Sequence, residues 1–399
     1  TFDVGAVYVF TRDPITGTWS EQANVKSSNP GGGDGFGASV ALSADGNILA
    51  VGAPYEDSDT AFDVGAVYVF TRDPITGTWS EQANVKSSNP VNNDNFGYSV
   101  ALSADGNTLA VGAPYEDEDS DTTFDAGAVY VFTRSGNTWT LQKHVKASNT
   151  GAENYFGMSL ALSADGNTLA VGQPGEDSGS GTVYVFTRDD NGTWSDTPVP
   201  IKASNPEDND QFGRSLALSD DGNTLAVGAP YEDSIVTGVN NAQNDNSATS
   251  AGAVYVFTRT GSDWSQQAYI KASNTGESDY FGESLALSAD GNTLAVGARY
   301  EDSLATGVTP GSPNEGDISA FTDSGAVYVF TRTGSDWSQQ AYIKASNTGE
   351  WDWFGASVAL SADGNTLAVG AIGEDSNAKG VGGYQDDDSV ESAGAVYLY

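Results

Sequence analysis

The chain of 399 residues repeats itself with a period of about 60 residues. A Phe-Gly pair recurs six times, at intervals of 60, 60, 56, 69 and 73 residues, and begins at Phe36, Phe96, Phe156, Phe212, Phe281 and Phe354. Long regular periods are typical of repeat architectures, in which each unit buries its apolar face against the next unit. This repetition restricts the possible folds more than any other feature of the sequence.

Each repeat contains four short runs of apolar and aromatic residues. In the first full repeat they read FGASVALS, ILAVGAP, GAVYVFTR and TWSEQANVK, and an acidic stretch separates the second run from the third. Such runs, bounded by Gly, Asp, Asn and Pro, are typical of β-strands. The Asp45-Gly46 pair between the first two runs predicts a type I′ hairpin turn. Four antiparallel strands per repeat predict an all-β fold, a β-propeller of four-stranded blades.

Strand counting predicts six blades. Complete blades are expected over five ranges, 36–86, 96–146, 155–202, 212–271 and 281–344. A closing blade would combine 353–399 with 1–26, so that 1–399 forms a single propeller. The GAVY run occurs seven times, which leaves one strand over. A seven-bladed ring and a part of a longer repeat array are the alternatives, and a surplus strand could join copies into polymers or filaments.

The combination of Phe-Gly with a downstream Gly-Ala-Pro triplet resembles the FG-GAP repeat of integrin α-chain propellers. The matching pairs are Phe36-Gly37 with Gly52-Ala53-Pro54, Phe96-Gly97 with Gly112-Ala113-Pro114, and Phe212-Gly213 with Gly228-Ala229-Pro230. The resemblance implies a propeller that serves in adhesion, ligand recognition or extracellular assembly. The triplet differs in three repeats, at Gly172-Gln173-Pro174, Gly297-Ala298-Arg299 and Gly370-Ala371-Ile372. The Asp-x-Asp-x-Asp-Gly calcium loop of some integrin blades is absent from the sequence, so that metal site does not carry over.

The composition excludes several functions. A net charge of −38 argues against nucleic-acid binding, which depends on Lys and Arg side chains that neutralise phosphates. Insertion into a membrane is not expected, because no apolar run approaches the roughly 20 residues of a spanning helix. With no Cys and a single His, His144, thiol chemistry is excluded and imidazole chemistry has one carrier. We expect His144 to face solvent or a neighbouring blade.

Strands two and three of a blade are joined by the 2–3 loop, and successive blades are joined by the 4–1 loop. The hairpin register places pairs of Asp opposite each other where these two loops meet. The pairs are Asp34 with Asp57, Asp94 with Asp117, Asp210 with Asp233, Asp279 with Asp302, and Asp352 with Asp375. Opposed like charges destabilise an antiparallel pair, and Ca²⁺ prefers carboxylate and carbonyl oxygens. The Lys that ends strand four, such as Lys86, is expected to lie roughly 14 Å away, too far to neutralise them. The pairs therefore predict Ca²⁺ binding, with caps of their own loops and solvated acidic loops as alternatives.

Two further patterns concern aromatic and basic residues. The Trp repeated in strand four predicts blade packing, and the Arg repeated at the end of strand three predicts contacts with the Asp-Gly-Asn turns. Trp351 and Trp353 differ, because they share one 4–1 loop beside the long insertions of the later repeats. Irregular aromatic loops are common ligand sites, so these two residues are predicted to bind a ligand.

The leading interpretation is an extracellular or cell-surface structural or adhesive protein without enzymatic activity. Its partners would be copies of itself, another extracellular protein or a glycan. Six near-identical carboxylate pairs favour a structural role over catalysis, which needs one pair in unequal environments. The alternative is a lectin-like or protein-recognition module that uses the loops around 232–251, 300–323 and 374–393.

Overall fold

The computed structural model describes residues 4–117, 124–147, 149, 151–311, 322–385 and 387–399. The chain is an all-β six-bladed β-propeller of mainly four-stranded antiparallel sheets, which confirms the predicted fold class. It divides into two compact units, of which the first contains blades one and two and the second contains blades four and five.

The first strands form one small sheet and two complete blades. The two-stranded sheet consists of β1 (Val7–Arg12) and β2 (Trp19–Val25). Blade one consists of β3 (Ser39–Leu42), β4 (Ile48–Ala53), β5 (Ala66–Arg72) and β6 (Trp79–Val85). Blade two consists of β7 (Ser99–Leu102), β8 (Thr108–Ala113), β9 (Ala128–Ser135) and β10 (Thr138–Val145).

Four further sheets follow along the chain. Blade three contains β11 (Leu160–Leu162), β12 (Thr168–Gln173), β13 (Thr182–Thr187) and β14 (Val199–Ile201). Blade four contains β15 (Ser215–Leu218), β16 (Thr224–Ala229), β17 (Ala253–Thr260) and β18 (Asp263–Ile270). Blade five has five strands: β19 (Ser284–Leu287), β20 (Thr293–Ala298), β21 (Val308–Pro310), β22 (Ala326–Thr333) and β23 (Asp336–Ile343). Blade six contains β24 (Phe354–Leu360), β25 (Leu367–Ala371) and β26 (Ala395–Leu398).

All seven GAVY runs form strands, namely β1, β5, β9, β13, β17, β22 and β26. A closing blade that combines 353–399 with 1–26 stays a prediction. The assembly of copies through a surplus strand also stays a prediction. Residues 1–3 of that blade lie outside the described residues.

The first hairpin of each blade has the predicted register but a different turn. Ser39 pairs with Gly52 and Leu42 with Leu49, as expected. The type I′ prediction was wrong, since Gly46 has a φ of +66° whereas Asp45 does not share that positive φ. The Gly46 N–H donates to the Ser43 carbonyl at 2.9 Å, which closes a type I turn. The Asp45 carboxylate accepts hydrogen bonds from Ser43 Oγ at 2.6 Å and the Asn47 N–H at 3.0 Å, and these bonds fix the turn.

Neighbouring blades meet through glycines. Ser39 Oγ in blade one donates to the carbonyl of Gly97 in blade two at 2.7 Å. A Cβ on Gly52, the glycine of the Gly-Ala-Pro triplet, would lie only 2.0 Å from that same carbonyl oxygen. The glycines of the two motifs therefore allow adjacent backbones to touch, a role that no other residue can fill.

Side chains of strands three and four complete the packing. Trp79 Nε1 donates to Gln22 Oε1 at 3.1 Å, and Trp139 Nε1 donates to Gln82 Oε1 at 3.2 Å. These hydrogen bonds join the fourth strands of successive sheets, which confirms that these Trp residues pack between blades. Arg134 Nε donates to Asn107 Oδ1 at 3.1 Å, and its guanidinium lies 5.9 Å from the ring centre of Trp139. The Arg contact with the turn is confirmed, but the hydrogen-bond acceptor is its Asn.

We expect Gly127→Ala in blade two to destabilise the protein more than Gly136→Ala in the same blade. Both glycines have positive φ, +82° and +60°, so each substitution costs about 1–2 kcal/mol of backbone strain. At Gly127 the new Cβ would also lie 2.2 Å from the Phe156 carbonyl oxygen, whereas nothing lies within 4 Å at Gly136. Urea unfolding of both variants measures the difference, and equal losses of stability would contradict the proposed role of the blade contact.

Candidate functional site at the loop end of the blades

The 2–3 loop and the 4–1 loop meet at one end of each blade, here called the loop end. A glycine before strand three donates its N–H to the carbonyl of a glutamate at the start of the 2–3 loop, which forms a common neck. The pairs are Gly65 with Glu56 (3.0 Å), Gly127 with Glu116 (2.9 Å), Gly252 with Glu232 (2.8 Å), Gly325 with Glu301 (2.9 Å) and Gly394 with Glu374 (2.8 Å). Between 9 and 24 positions separate the two residues, so the neck is independent of loop length.

The side chain of the same glutamate is buried and surrounded by hydrogen-bond donors. Glu232 accepts from Lys271 Nζ at 2.7 Å and from the Tyr269 hydroxyl at 2.6 Å. Glu301 accepts from Lys344 Nζ at 2.7 Å and from the Tyr342 hydroxyl at 2.8 Å. Buried charges persist where they are paired and hydrogen-bonded, so these clusters anchor the neck.

The Lys of strand four, which was predicted to lie too far away to neutralise the Asp pairs, contacts the neck glutamate. Lys86 Nζ lies 2.7 Å from Glu56 Oε1, and Glu56 directly precedes Asp57. The long Lys side chain reaches along the end of the blade while the 2–3 loop turns back toward it, which strand spacing alone does not reveal. In blades four and five, Lys271 and Lys344 are fully buried, and burial lowers the pKa of both amines.

The predicted Asp of each 4–1 loop is buried and caps its own loop. Asp34 accepts the Gly31 N–H at 2.6 Å, Asp94 that of Val91 at 2.7 Å, Asp210 that of Glu207 at 3.2 Å, Asp279 that of Gly276 at 2.8 Å, and Asp352 that of Gly349 at 2.6 Å. This is the alternative role considered for the Asp pairs. Asn154 stands in this position before blade three, as the sequence indicates.

The predicted Asp of each 2–3 loop caps the return of that loop toward strand three. Asp57 accepts the Asp63 N–H at 2.9 Å, Asp117 that of Asp125 at 3.0 Å, Asp233 that of Ser250 at 2.7 Å, Asp302 that of Thr322 at 2.7 Å, and Asp375 that of Ser392 at 2.7 Å. In blade three, Asp177 has a left-handed backbone conformation, with a φ of 51°, and pairs with Lys202.

The two carboxylates of a pair influence each other electrostatically. Burial raises the pKa of Asp94 to about 7, and the charges of Glu116 and Asp117 add to the increase. Burial and the charge of Glu232 raise the pKa of Asp210 to about 7, while burial raises that of Asp352 to about 6. The opposed pairs thus carry the repulsion that the sequence predicts.

The carboxylates provide limited support for a metal site. Among the residues that the structure describes, no group of three or more His, Asp or Glu side chains is arranged to hold a metal ion. Both members of each pair are already engaged in caps. Asp94 Oδ1 is buried and, within the described part of the chain, has no hydrogen-bond partner. A Ca²⁺ ion at such a pair would need backbone carbonyls or water as its other ligands, and calcium binding stays a prediction.

Trp351 and Trp353 flank the buried Asp352, with positive φ of +68° and +53°. Trp351 is half-exposed, and its N–H donates to the Thr322 carbonyl at 2.7 Å. The same two backbone conformations recur in the other 4–1 loops, where Gly33 and Gly35 occupy them before blade one. Large residues with positive φ are strained, which indicates that side chains at these positions serve more than the turn.

Trp353 ends a row of partly exposed aromatic rings in the second unit. Tyr231 and Tyr280 lie 5.0 Å apart between ring centres, Tyr280 and Tyr300 lie 5.0 Å apart, and Tyr300 and Trp353 lie 6.4 Å apart. The Arg299 guanidinium lies 4.5 Å from the ring centre of Tyr300. Sequence reasoning missed this row, although each member directly precedes a Phe-Gly pair or follows the Gly-Ala-Pro position.

Other residues of the predicted site have structural partners. His144 stacks on Tyr130 with ring centres 4.4 Å apart, and its Nε2 lies 3.2 Å from Glu116 Oε1. It therefore packs within its own blade as well as facing solvent. Parts of the predicted ligand loops add to blade edges, since β21 pairs with β23 and Val239 bridges Ile270. Residues 312–321 and 386 of those loops lie outside the described residues.

We expect Asp94→Asn and Asp210→Asn to reduce the pH dependence of stability. An unfolded Asp loses its proton near pH 4, whereas these folded carboxyls keep it to about pH 7. Their contribution to stability is therefore present below about pH 4 and is lost as pH rises toward 7. Thermal melting between pH 4 and 7 measures the change, and Asn154 indicates that the fold accepts Asn at this position.

Asp45→Asn is the matched control, because the hydrogen bond from Ser43 lowers the pKa of Asp45. The contribution of Asp45 to stability is present near neutral pH and is lost as pH falls. The Asp45→Asn variant should therefore change the pH profile of stability with the sign opposite to that of Asp94→Asn. An unchanged slope in both Asp94→Asn and Asp210→Asn would refute the interpretation of the buried carboxyls.

In the described part of the chain, no helix is both long enough and apolar enough to cross a membrane.

Comparison with known proteins agrees with the fold and the repeats. Solved structures that resemble the whole chain include a putative 6-phosphogluconolactonase from Bacteroides uniformis, with a TM-score of 0.56 and 16% identity over 100% of this chain and 97% of that chain. Another is the periplasmic gluconolactonase PpgL of Pseudomonas aeruginosa, with a TM-score of 0.56, 18% identity and the same coverage. At these identities the likeness concerns the fold alone.

Sequence relatives are more informative about the repeats. Integrin alpha-PS5 of Drosophila melanogaster is 32% identical over 158 residues, which are 35% of this chain and 15% of the relative's length. Six stretches match the FG-GAP repeat family, at 19–70, 79–132, 139–186, 198–257, 264–330 and 337–382. Since they cover most of the sequence, the chain belongs to the FG-GAP repeat family and is distantly related to integrin alpha chains.

Proposed function

We propose that this propeller is an extracellular adhesion or recognition protein without enzymatic activity, and that it binds its partner at the loop end of the blades. The observation that carries the proposal is the aromatic row of the second unit, in which Tyr280 and Trp353 both have positive φ of +53°. Neighbouring aromatic rings that are partly exposed are typical of a binding surface.

The neck of blades one, two, four, five and six supports this proposal. It holds the start and end of the 2–3 loop in the same arrangement whatever the loop contains, as in other scaffolds that carry binding loops. The carboxylates repeat from blade to blade as caps and anchors, and their repetition favours a structural role over acid–base catalysis. Membership of the FG-GAP family adds weight to adhesion, since the resemblance to integrin α-chain propellers implies adhesion, ligand recognition or extracellular assembly.

The partner that we propose is a glycan or an extracellular protein. Arg299 lies over Tyr300 and its Nε lies 2.8 Å from Glu283 Oε2, so the aromatic row is bordered by a donor and an acceptor. Aromatic rings beside paired polar groups suit the apolar faces and hydroxyls of a sugar as well as a protein surface. Association of copies through a surplus strand is a further proposal, which light scattering of the full chain can examine.

We expect Tyr280→Asn and Trp353→Asn each to weaken partner binding about tenfold or more, because aromatic anchors dominate binding energy. Asn is chosen since Asn95 has the same φ of +53° at the equivalent position, so the backbone is preserved. A glycan array and a panel of extracellular proteins identify the partner, and titration calorimetry measures each variant. Phe124→Ala, at a 60% exposed aromatic of the first unit, is the control. Binding that survives both Asn variants would exclude the aromatic row as the site.

Calcium binding is a second candidate, carried by the buried Asp94 oxygen and the adjacent charges of Glu116 and Asp117. We expect millimolar CaCl₂ to raise the melting temperature above that in EDTA and above that in NaCl of equal ionic strength. Asp94→Asn should remove part of this increment, whereas Asp45→Asn should leave it. If calcium stabilises no more than matched NaCl, screening explains the effect and the sites do not exist.

A further inference from the structure

Blade five contains an amine and an amide that share one buried carboxylate. Glu301 Oε2 lies 2.7 Å from Lys344 Nζ, and Glu301 Oε1 accepts a hydrogen bond from Asn274 Nδ2 at 2.8 Å. Asn274 belongs to the 4–1 loop that precedes the blade, whereas Lys344 follows its last strand. The carboxylate therefore connects two nitrogens that lie 70 positions apart in the sequence.

The surroundings bury the amine and the carboxylate and polarise the amide. The side chains of Lys344 and Glu301 are both 0% exposed. The Tyr328 hydroxyl, itself buried, donates to Asn274 Oδ1 at 2.6 Å, and Lys344 Nζ also contacts Ser324 Oγ at 2.8 Å. A hydroxyl on the amide oxygen is placed where negative charge would develop if a nucleophile attacked the amide carbon.

We propose that Lys344 and Asn274 form an intramolecular isopeptide bond, with Glu301 as the group that transfers the protons. Glu301 takes a proton from the ammonium, and the neutral amine attacks Cγ of Asn274. The Tyr328 hydroxyl stabilises the oxyanion on Oδ1. Glu301 then delivers the proton to Nδ2, the C–N bond of the amide breaks, and ammonia leaves. Lys344 Nζ gives its second proton to Glu301, so that a neutral secondary amide and a protonated Glu301 remain. One N–C bond forms and one breaks, so the reaction needs no oxidant, metal or cofactor.

Burial lowers the pKa of the Lys344 amine and so favours the neutral amine that the reaction requires. In a dry site a transferred proton removes two charges at once, which offsets the cost of breaking the ion pair. Both nitrogens already contact the same carboxylate, so a single group can serve as base for the attack and as acid for the departure.

The other complete blades contain only parts of this arrangement in the residues that the structure describes. In blade four, Asn205 Nδ2 donates to the Gln243 carbonyl at 2.7 Å and not to Glu232. In blade three, Lys202 pairs with Asp177. In blade one, Asn29 Nδ2 and Lys86 Nζ both contact Glu56, but Lys86 is 39% exposed and the Tyr68 hydroxyl donates to Glu56 rather than to the amide oxygen of Asn29. The proposal therefore assigns the cross-link to blade five and leaves Lys271 of blade four free of one.

The bond would join the loop that enters blade five to the strand that ends it. Such a link limits the conformations of the unfolded chain, as a disulfide does, in a protein that has no Cys. It would also prevent the blade from being pulled apart strand by strand, a property useful to an adhesive protein.

Mass spectrometry of the full chain tests the proposal. The intact mass should be lower than that of the sequence by one molecule of ammonia. Trypsin cleaves after Lys and Arg, so the link should block cleavage after Lys344 and yield the peptide 272–299 joined to 333–379. An unshifted intact mass together with complete cleavage after Lys344 would overturn the proposal, whatever partner the propeller binds.

Variants assign the roles of the individual residues. Glu301→Gln keeps the shape of the side chain but cannot take the proton, and Asn274→Ala removes the amide, so both should show the full mass and the unlinked peptides. Lys271→Arg, the matched change in blade four, should retain the link. A link that persists in Asn274→Ala would refute the assignment of the amide. If Glu301→Gln fails to fold, the mass of the unaltered chain still decides the question.

Discussion

The blades depend on the close approach of two backbones at glycine. A Cβ on Gly52 would lie 2.0 Å from the Gly97 carbonyl oxygen, and one on Gly297 would lie 2.2 Å from that of Gly355. The Gly of one motif faces the Gly of the other across each of these blade interfaces, and a Ser hydroxyl fixes the contact. Because the contact is made by backbone, it repeats unchanged while the residues around it vary, as Arg299 does beside Gly297.

A backbone contact between neighbouring blades leaves the loops beyond it free to change. The neck between Glu301 and Gly325 has nearly the same hydrogen-bond length as the neck between Glu56 and Gly65, although the first loop is far longer. Lengthening a loop costs little entropy once its two ends are fixed. In blade five the added chain even returns as β21 to cover the exposed edge of β23, where an unpaired strand would invite aggregation.

The repeat period, the strand residues and the turn spacing were sufficient to predict the blades and the hairpin register. They were insufficient for the turn type, because Asp45 takes its conformation from hydrogen bonds to Ser43 and Asn47 rather than from the Asp-Gly pair alone. The sequence did not reveal the neck glutamates, because Glu56 lies in a run of acidic residues and only the fold shows that it is buried. The sequence also did not reveal the aromatic row, because its rings come together from different blades: Tyr231 follows a strand of blade four, whereas Tyr300 follows a strand of blade five.

The structure also explains how a chain of charge −38 remains compact. Its carboxylates fall into three groups with different effects on stability. Hydrogen bonds from a Ser lower the pKa of turn residues such as Asp363, to about 2, so these carboxylates favour folding. The neck glutamates are buried against Lys and Tyr. Loop Asp residues such as Asp94 have raised pKa values, and repulsion between carboxylates contributes to the increase at the loop end. A ligand that brings positive charge or displaces a proton there would bind a surface already under electrostatic strain.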